Sequence, residues 1–335
     1  MKAFVLHKPG HGSITTLPEP VAGDGQILLK VRMVGFCGSD LNSFRGLNPL
    51  VSFPRIPGHE VAATVVQDSR SGLSVGTDVA ISPYSSCGEC ASCRRGRPNA
   101  CQFNETLGVQ RDGALTELIV MPPEKLYPAK LTTKELCLVE PLTVGFHAVS
   151  RGRVAAKDTV LIMGCGGVGL GAVCASSSRG ARTICVDVDD EKLKLAQASG
   201  GAHTINTRRE LLHDRLLELT EGRGPDVVIE AIGTPATFRA AVEEVSFSGR
   251  VVYIGYAKEP VSYETRLFVQ KELDILGSRN ALPEDFQAVI RLLEDRKFPV
   301  DQAVSLVVTL DEAADSLRSW SENPSSFKKI MVCLD

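Results

Sequence analysis

The rhythm of apolar and polar positions changes near residue 135. Before it, short strand-like runs alternate with turn residues. Residues 26–34 (QILLKVRMV), 60–67 (EVAATVVQ), 78–82 (DVAIS) and 113–120 (GALTELIV) carry the Val/Ile/Leu-rich pattern of strands. Pro54, Pro57, Gly58, Gly72, Gly76 and Pro83 punctuate them. This half predicts an irregular antiparallel domain or barrel, not βαβ units.

After residue 135 the period lengthens. Residues 135–150 (ELCLVEPLTVGFHAVS) predict a helix around Pro141. A strand over 159–163 (TVLIM) follows, then a Gly-rich turn and a helix through about Arg179. Strands at 182–187, 226–230, 250–254 and 272–276 alternate with helical stretches, among them the amphipathic 190–199. Continuous Val/Ile-rich strands separated by helices predict a parallel, doubly wound sheet. The tail predicts helices over 283–296 and 311–322 and a last strand in KKIMVCL.

Composition narrows the function classes. The chain has 335 residues, which suits two domains. A net charge of −3 gives no electrostatic grip on nucleic acid or membrane. The N-terminus, MKAFVLHKPG, turns polar too soon for a secretory signal. The apolar run Val160–Ala175 is short for a membrane span, and its five glycines argue further against one.

Four cysteines crowd into CGECASCRRGRPNAC: Cys87, Cys90, Cys93 and Cys101. The spacing C-x2-C-x2-C-x7-C lets one loop wrap four thiolates around a tetrahedral ion, the closed shell of a structural zinc. An iron–sulfur cluster also takes four thiolates, and disulfides are the plain alternative. A closed shell does no chemistry, so catalysis must lie elsewhere. Cys37, Cys137, Cys165, Cys174, Cys185 and Cys333 are scattered, several in apolar runs that suit buried free thiols. Thiolates kept as metal ligands imply a reducing compartment, with the cytoplasm as default.

Gly164, Gly166, Gly167, Val168 and Gly169 lie in G-x-G-x-x-G, directly after the strand TVLIM and at the start of a helix. In that context glycines let the backbone approach a pyrophosphate seated on the helix N-terminus. Asp187 ends the next strand, where a carboxylate accepts bonds from the NAD ribose and repels the 2′-phosphate of NADP. The plain alternative is a core turn and a solvated Asp. A second metal-type set lies earlier, in Cys37-Gly38-Ser39-Asp40 and Gly58-His59-Glu60. One thiolate, one imidazole and one carboxylate can hold zinc with an open fourth position. A lone histidine is more often structural.

The order C-G-S-D, G-H-E, the four-cysteine lobe, V-E-P-L and G-x-G-x-x-G resembles the zinc-dependent medium-chain alcohol dehydrogenases over nearly the whole chain. Within them it resembles the polyol branch of sorbitol, threonine and L-galactonate 5-dehydrogenase-like enzymes. The resemblance implies an α/β protein: a GroES-like irregular β-barrel catalytic domain (1–140 and 282–335) and a Rossmann NAD-binding domain (141–281). It implies two zincs per chain, one catalytic and one structural, together with NAD and a homodimer or homotetramer. It implies Cys37 and His59 as catalytic zinc ligands, completed by Glu60, by Glu140 in Val139-Glu140-Pro141-Leu142, or by water. Ser39 resembles the hydroxyl that passes on the substrate proton. Relatives often place a histidine three residues later, where this chain has Asn42, which cannot titrate.

The segment 277–286, GSRNALPEDF, resembles that of the L-galactonate-type proteins and is expected near the nicotinamide. Arg279 and Asn280 are therefore candidates for contact with a substrate carboxylate, a phosphate or the cofactor. The plain alternative is a helix start with Pro283, Glu284 and Asp285 in its first turn. The expected reaction is NAD-linked oxidation of a secondary hydroxyl of a hexonate-like sugar acid, or next a neutral polyol. Threonine-like amino alcohols and polyol phosphates are further substrates. A regulatory NAD/zinc protein would be expected to have damaged this donor set, which is intact. A zinc-free quinone reductase predicts neither cluster. A nucleic-acid-binding ribbon needs more positive charge than Arg94, Arg95 and Arg97.

Overall fold

The computed structural model describes residues 1–68 and 72–334, Asp68 by its backbone alone. Along the chain, β1 (Lys2–Lys8) and β2 (His11–Thr16) precede β3 (Ile27–Gly35) and the short helix α1 (Gly38–Phe44). Then come β4 (Glu60–Asp68), β5 (Asp78–Ile81), the helical turn α2 (Ala91–Arg94), β6 (Leu118–Met121) and β7 (Leu126–Pro128). Helix α3 (Thr133–Arg151) leads into β8 (Thr159–Met163), α4 (Gly167–Ser178), β9 (Arg182–Asp187), α5 (Asp190–Ala198) and β10 (His203–Asn206). The series continues with α6 (Leu212–Thr220), β11 (Val227–Glu230), α7 (Pro235–Glu244), β12 (Arg250–Tyr253), α8 (Arg266–Gln270) and β13 (Asp274–Gly277). It ends with α9 (Pro283–Glu294), α10 (Val300–Ala303), β14 (Leu306–Thr309), α11 (Ala313–Glu322) and β15 (Ile330–Cys333).

The chain divides into two compact units: Met1–Pro141 with Leu282–Arg296 and Val300–Asp335, and Leu142–Ala281 with Lys297–Pro299. In the first unit, strands run in the order β14-β15-β3-β4-β5-β7, with β6 also paired to β3 and β1-β2 forming a separate hairpin. All pairs are antiparallel except β14 with β15. Phe4, Leu6, Leu29, Phe36, Val61, Ile81, Leu115 and Val332 fill its core. Each such side chain contributes about 1.5–3 kcal/mol on burial.

The second unit is a parallel six-stranded sheet in the order β10-β9-β8-β11-β12-β13. Numbered from its own first strand this is 3-2-1-4-5-6, the doubly wound order of dinucleotide-binding sheets. Leu161, Ile184, Val186, Val228 and Val251 lie at its centre, which is why these strands read as unbroken apolar runs.

Two expected strands move. The run 113–120 forms a named strand only over Leu118–Met121, preceded by an isolated bridge of Thr116 to Ala3, because Gly113, Ala114 and Leu115 spend their N–H groups on the carbonyls of Ile56, Gly58 and Pro57. The run 272–276 starts at Asp274, because Glu272 adopts a left-handed φ of 49° just after α8. The hairpin β1-β2, α1, β7 and the edge strand β10 were not foreseen from the pattern. Among the described residues no helix is long and apolar enough to cross a membrane.

Candidate functional site

The four-cysteine lobe is built from its own backbone. Cys90 caps α2, Gly88 turns the chain at φ 77°, and Cys101 ends a 3-10 turn at Pro98–Ala100. Sγ–Sγ separations are 3.5 Å for Cys90–Cys93, 3.8 Å for Cys90–Cys101 and 3.6 Å for Cys101–Cys87. A tetrahedron with Zn–S arms of about 2.3 Å has edges of about 3.8 Å. The spacing thus fits one ion and is far too wide for disulfide bonds, and none of the ten cysteines is in a disulfide. Amide N–H groups of Cys87 and Phe103 point at Cys101 Sγ, and that of Cys90 at Cys87 Sγ, as suits thiolates. Backbone N–H groups of Cys93 and Gln102 pull the Cys90 thiol down to about 5. Burial and then Cys90 push Cys93 up to about 11. Four crowded thiols cannot all ionise without a cation among them.

The second cluster is made by strand register. In the β3–β4 pairing, Gly35 stands opposite Glu60, so Cys37, just past β3, meets His59 and Glu60 at the start of β4. Glycine is required at position 35, because a side chain there would run into the Glu60 carboxylate. The ligand atoms of Cys37, His59 and Glu60 all lie within 4.8 Å of one another. Three unlike protein donors are the composition of a catalytic zinc site, the kind that keeps its fourth position for water or substrate.

The surroundings favour a cation here. Asp40 accepts from the amides of Cys37 at 2.8 Å and Gly58 at 3.3 Å, and its Oδ1 lies 3.9 Å from His59 Nδ1. That nitrogen is buried and makes no hydrogen bond. Burial lowers the His59 imidazole, yet Asp40, then Cys37 and Glu140, outweigh it and hold it well above its ordinary value. Ser39 Oγ is also shielded and without a hydrogen-bond partner.

Two further side chains enter that sequence reasoning missed. Lys329, the residue before β15, is buried and places Nζ 2.6 Å from both carboxylate oxygens of Glu60. It also donates to the Phe36 carbonyl at 3.2 Å. Burial drives this ammonium down, but Glu60 and then Cys37 outweigh it and hold it above the usual lysine value. Tyr84, also buried, donates its hydroxyl to Oε1 of Glu140 on α3. Burial, followed by the Glu60 charge, pushes the Glu140 carboxyl up to about 7 against the pull of His59, Tyr84 and Lys329. Glu140 does not join the close donor set. A lysine opening the buried strand IMVC was the one available sign of Lys329; Tyr84 carried none.

In the second unit the Gly-rich turn links β8 to α4. Gly164 has φ 98°, and a side chain at Gly169 would strike the Gly164 carbonyl. A Cβ on Gly166, which caps α4, would meet nothing within 4 Å, so open space lies beside the free N–H groups of the helix. Gly167 and Val168 supply the first of those groups. Asp187, at the end of β9, accepts from the amides of Cys165 and Val188, each at 2.8 Å. Asp189 caps α5 through the amides of Glu191 and Lys192. This geometry fits a dinucleotide pyrophosphate on α4 and a ribose at Asp187. Arg279 is exposed, and Asn280 takes a left-handed φ of 54°. Helix α9 begins at Pro283, with the Leu282 amide held by the Asp285 carboxylate at 2.8 Å. Arg279 and Asn280 fall in the unit of the Gly-rich turn, and Cys37, His59 and Glu60 fall in the other.

Residues 23–131 match the alcohol dehydrogenase GroES-like domain, and residues 167–295 match the zinc-binding dehydrogenase domain. The sorbitol dehydrogenase of Bacillus subtilis is 34% identical over 96% of this chain and 95% of its own length. The L-galactonate-5-dehydrogenase of Escherichia coli is 31% identical over 85% of both. The solved structure of an alcohol dehydrogenase (rspB) from Escherichia coli CFT073, complexed with cofactor NADH, superposes with a TM-score of 0.92 at 28% identity, covering 100% of this chain and 99% of that one. The chain belongs to the zinc-binding alcohol dehydrogenases, oxidoreductases that act on CH–OH groups. Within them its place is the polyol branch of the medium-chain enzymes.

Proposed function

We propose that this chain oxidises a secondary hydroxyl of a sugar acid to the ketone with zinc and NAD. The observation that carries this reading is the convergence of the Cys37, His59 and Glu60 ligand atoms to within 4.8 Å of one another in a chain that also builds a dinucleotide turn. Bound there, zinc supplies Lewis acidity toward a hydroxyl, and NAD supplies a hydride acceptor.

The chain's own residues do the rest. Cys37, His59 and Glu60 hold the ion, Asp40 faces the outer nitrogen of His59, and Lys329 neutralises Glu60 from behind. Ser39 Oγ, unspent on any other bond, takes the substrate proton. Asn42 cannot carry it further by titration, so water or Glu60 completes the path. Gly164, Gly166, Gly167, Val168 and Gly169 let the pyrophosphate approach, and Asp187 with Asp189 and Asp190 disfavours a 2′-phosphate. Cys87, Cys90, Cys93 and Cys101 hold a structural zinc. On this reading residues 1–140 and 282–335 form the catalytic domain and 141–281 the NAD domain.

The sugar-acid substrate is supported by similarity to the L-galactonate enzyme and by the exposed cation Arg279 for a carboxylate. A neutral polyol is the second reading, supported by the sorbitol enzyme. Ten cysteines without a disulfide among them suit a cytoplasmic location. The outer edge of β13, with Ile275 exposed, suits strand pairing in a homodimer or homotetramer.

The test is an NADH-formation screen of zinc-loaded protein against hexonates, polyols, threonine and polyol phosphates. Hexonates are expected to give the highest kcat/KM. No NADH from any secondary alcohol would overturn the proposal, and a clear preference for neutral polyols would replace its substrate.

A further inference from the structure

Two buried glutamates face the Cys37–His59 pair, and each is held by a different side chain. Glu60 is paired through both oxygens with Lys329 and still lies within the donor set. A carboxylate has about four lone-pair positions, so a salt bridge leaves it able to ligate. Glu140 lies outside the set, with Oε1 taken by the Tyr84 hydroxyl. The backbone around Tyr84 is pinned: the Pro83 carbonyl accepts from Leu107, the Ser85 amide donates to the Glu105 carbonyl, and Tyr84 bridges Thr106. The phenol is therefore fixed in place while Glu140 sits on a helix next to Pro141.

We propose that Tyr84 is a positioning residue that latches the Glu140 carboxylate away from the Cys37–His59–Glu60 donors and so reserves the fourth metal position for substrate. This rests on the reading of that cluster as the catalytic zinc site. A zinc ion that gained Glu140 as a fourth protein ligand would have a closed shell, and closed shells do no chemistry. The latch gives this mixed cluster what its excess of carboxylates would otherwise deny it, a vacant site.

The experiment compares wild type, Tyr84→Phe, Glu140→Gln and the double variant. Zinc affinity of the second site is measured by chelator competition, with the four-cysteine lobe kept loaded. Cobalt(II) absorption of that site reports its donors. Outer-shell changes move metal affinity by about 10- to 100-fold. Tyr84→Phe is expected to tighten the second zinc by about tenfold, shift the cobalt bands and raise KM for the alcohol more than it lowers kcat. Glu140→Gln alone is expected to leave affinity unchanged, and in the double variant to abolish the gain, a coupling that a double-mutant cycle isolates. Weaker or unchanged zinc in Tyr84→Phe, or weaker zinc in Glu140→Gln alone, would overturn the latch. Cys37→Ser serves as the control: if it leaves two zincs bound, the reading of the cluster itself fails, whatever Tyr84 does.

Discussion

The lobe takes four identical donors from residues 87–101 and stabilises them with the amides of the same loop. The Cys37 cluster takes three unlike donors from two strand ends. It then recruits Asp40 from α1, Glu140 from α3, Tyr84 from a link between strand and lobe, and Lys329 from the end of the chain. The contrast teaches what an open site requires. Like donors saturate an ion by themselves. Unlike donors leave a position free, but they bring net negative charge into the interior, and buried charges are costly unless paired. Lys329 and the hydrogen bonds to Asp40 and Glu140 offset that cost. His59, Glu140 and Lys329 are held off their ordinary values because they are buried among convergent charges.

The largest effect should come from removing a donor of the open cluster. Cys37→Ser is expected to lower kcat/KM by about 10³-fold or more, about 4 kcal/mol of barrier. Thermal unfolding should stay near wild type and one zinc should remain. Steady-state kinetics with zinc analysis checks this. An activity loss that merely followed a loss of folded protein would erase the contrast between the two sites.

Next in size is Lys329→Met, which leaves the Glu60 carboxylate buried without its cation. The expected cost is about 3 kcal/mol in urea unfolding. Adding Glu60→Gln should recover part of it, since the unpaired charge goes too. No recovery would mean that Lys329 acts by filling space rather than by neutralising Glu60. The lobe gives the opposite signature. Cys93→Ser should lower the thermal midpoint by roughly 5 °C while the remaining folded protein keeps its kcat. A chelator should strip the open site before the closed one, read as activity lost ahead of the second zinc.

The same contrast explains what could be read from the chain. The lobe was legible because its ligands are neighbours in sequence. The Gly-rich turn was legible because strand, glycines and helix follow directly on one another, and the parallel sheet because strands buried on both faces are continuously apolar. Strand β10, with the sequence HTIN at the sheet edge, was hidden because only Ile205 among its four residues is apolar. Lys329 and Glu60 are 269 residues apart, so no local pattern joins them. Only the pairing of β15 with β3 brings that lysine under the cluster. Tyr84 could not be assigned a role, because a lone tyrosine before a cysteine loop has no periodic partner.

The smallest predicted effect concerns the helix that carries Glu140. At its start, the Glu135 carboxylate accepts from the Thr132 amide at 2.7 Å and the Thr132 hydroxyl at 2.8 Å, and pairs with Arg296. Burial raises this carboxyl, but the Thr132 bonds and Arg296 outweigh it and hold it below the ordinary glutamate value. A depressed carboxyl stabilises the fold fully above its unfolded value, about 4.3, and loses that contribution as pH falls through the folded value. Glu135→Gln should therefore cost about 1 kcal/mol near neutral pH, the usual worth of a helix cap. The gap to wild type should narrow as pH falls below about 4.3 and close once pH is below the depressed folded value, because there both chains present an uncharged group to Thr132 and Arg296. Both proteins carry the same lobe, so its own acid sensitivity cancels in the difference. A gap constant with pH would show that the cap acts through shape rather than charge. That would separate the support of the open cluster into paired charges around Glu60 and neutral bonds around Glu140.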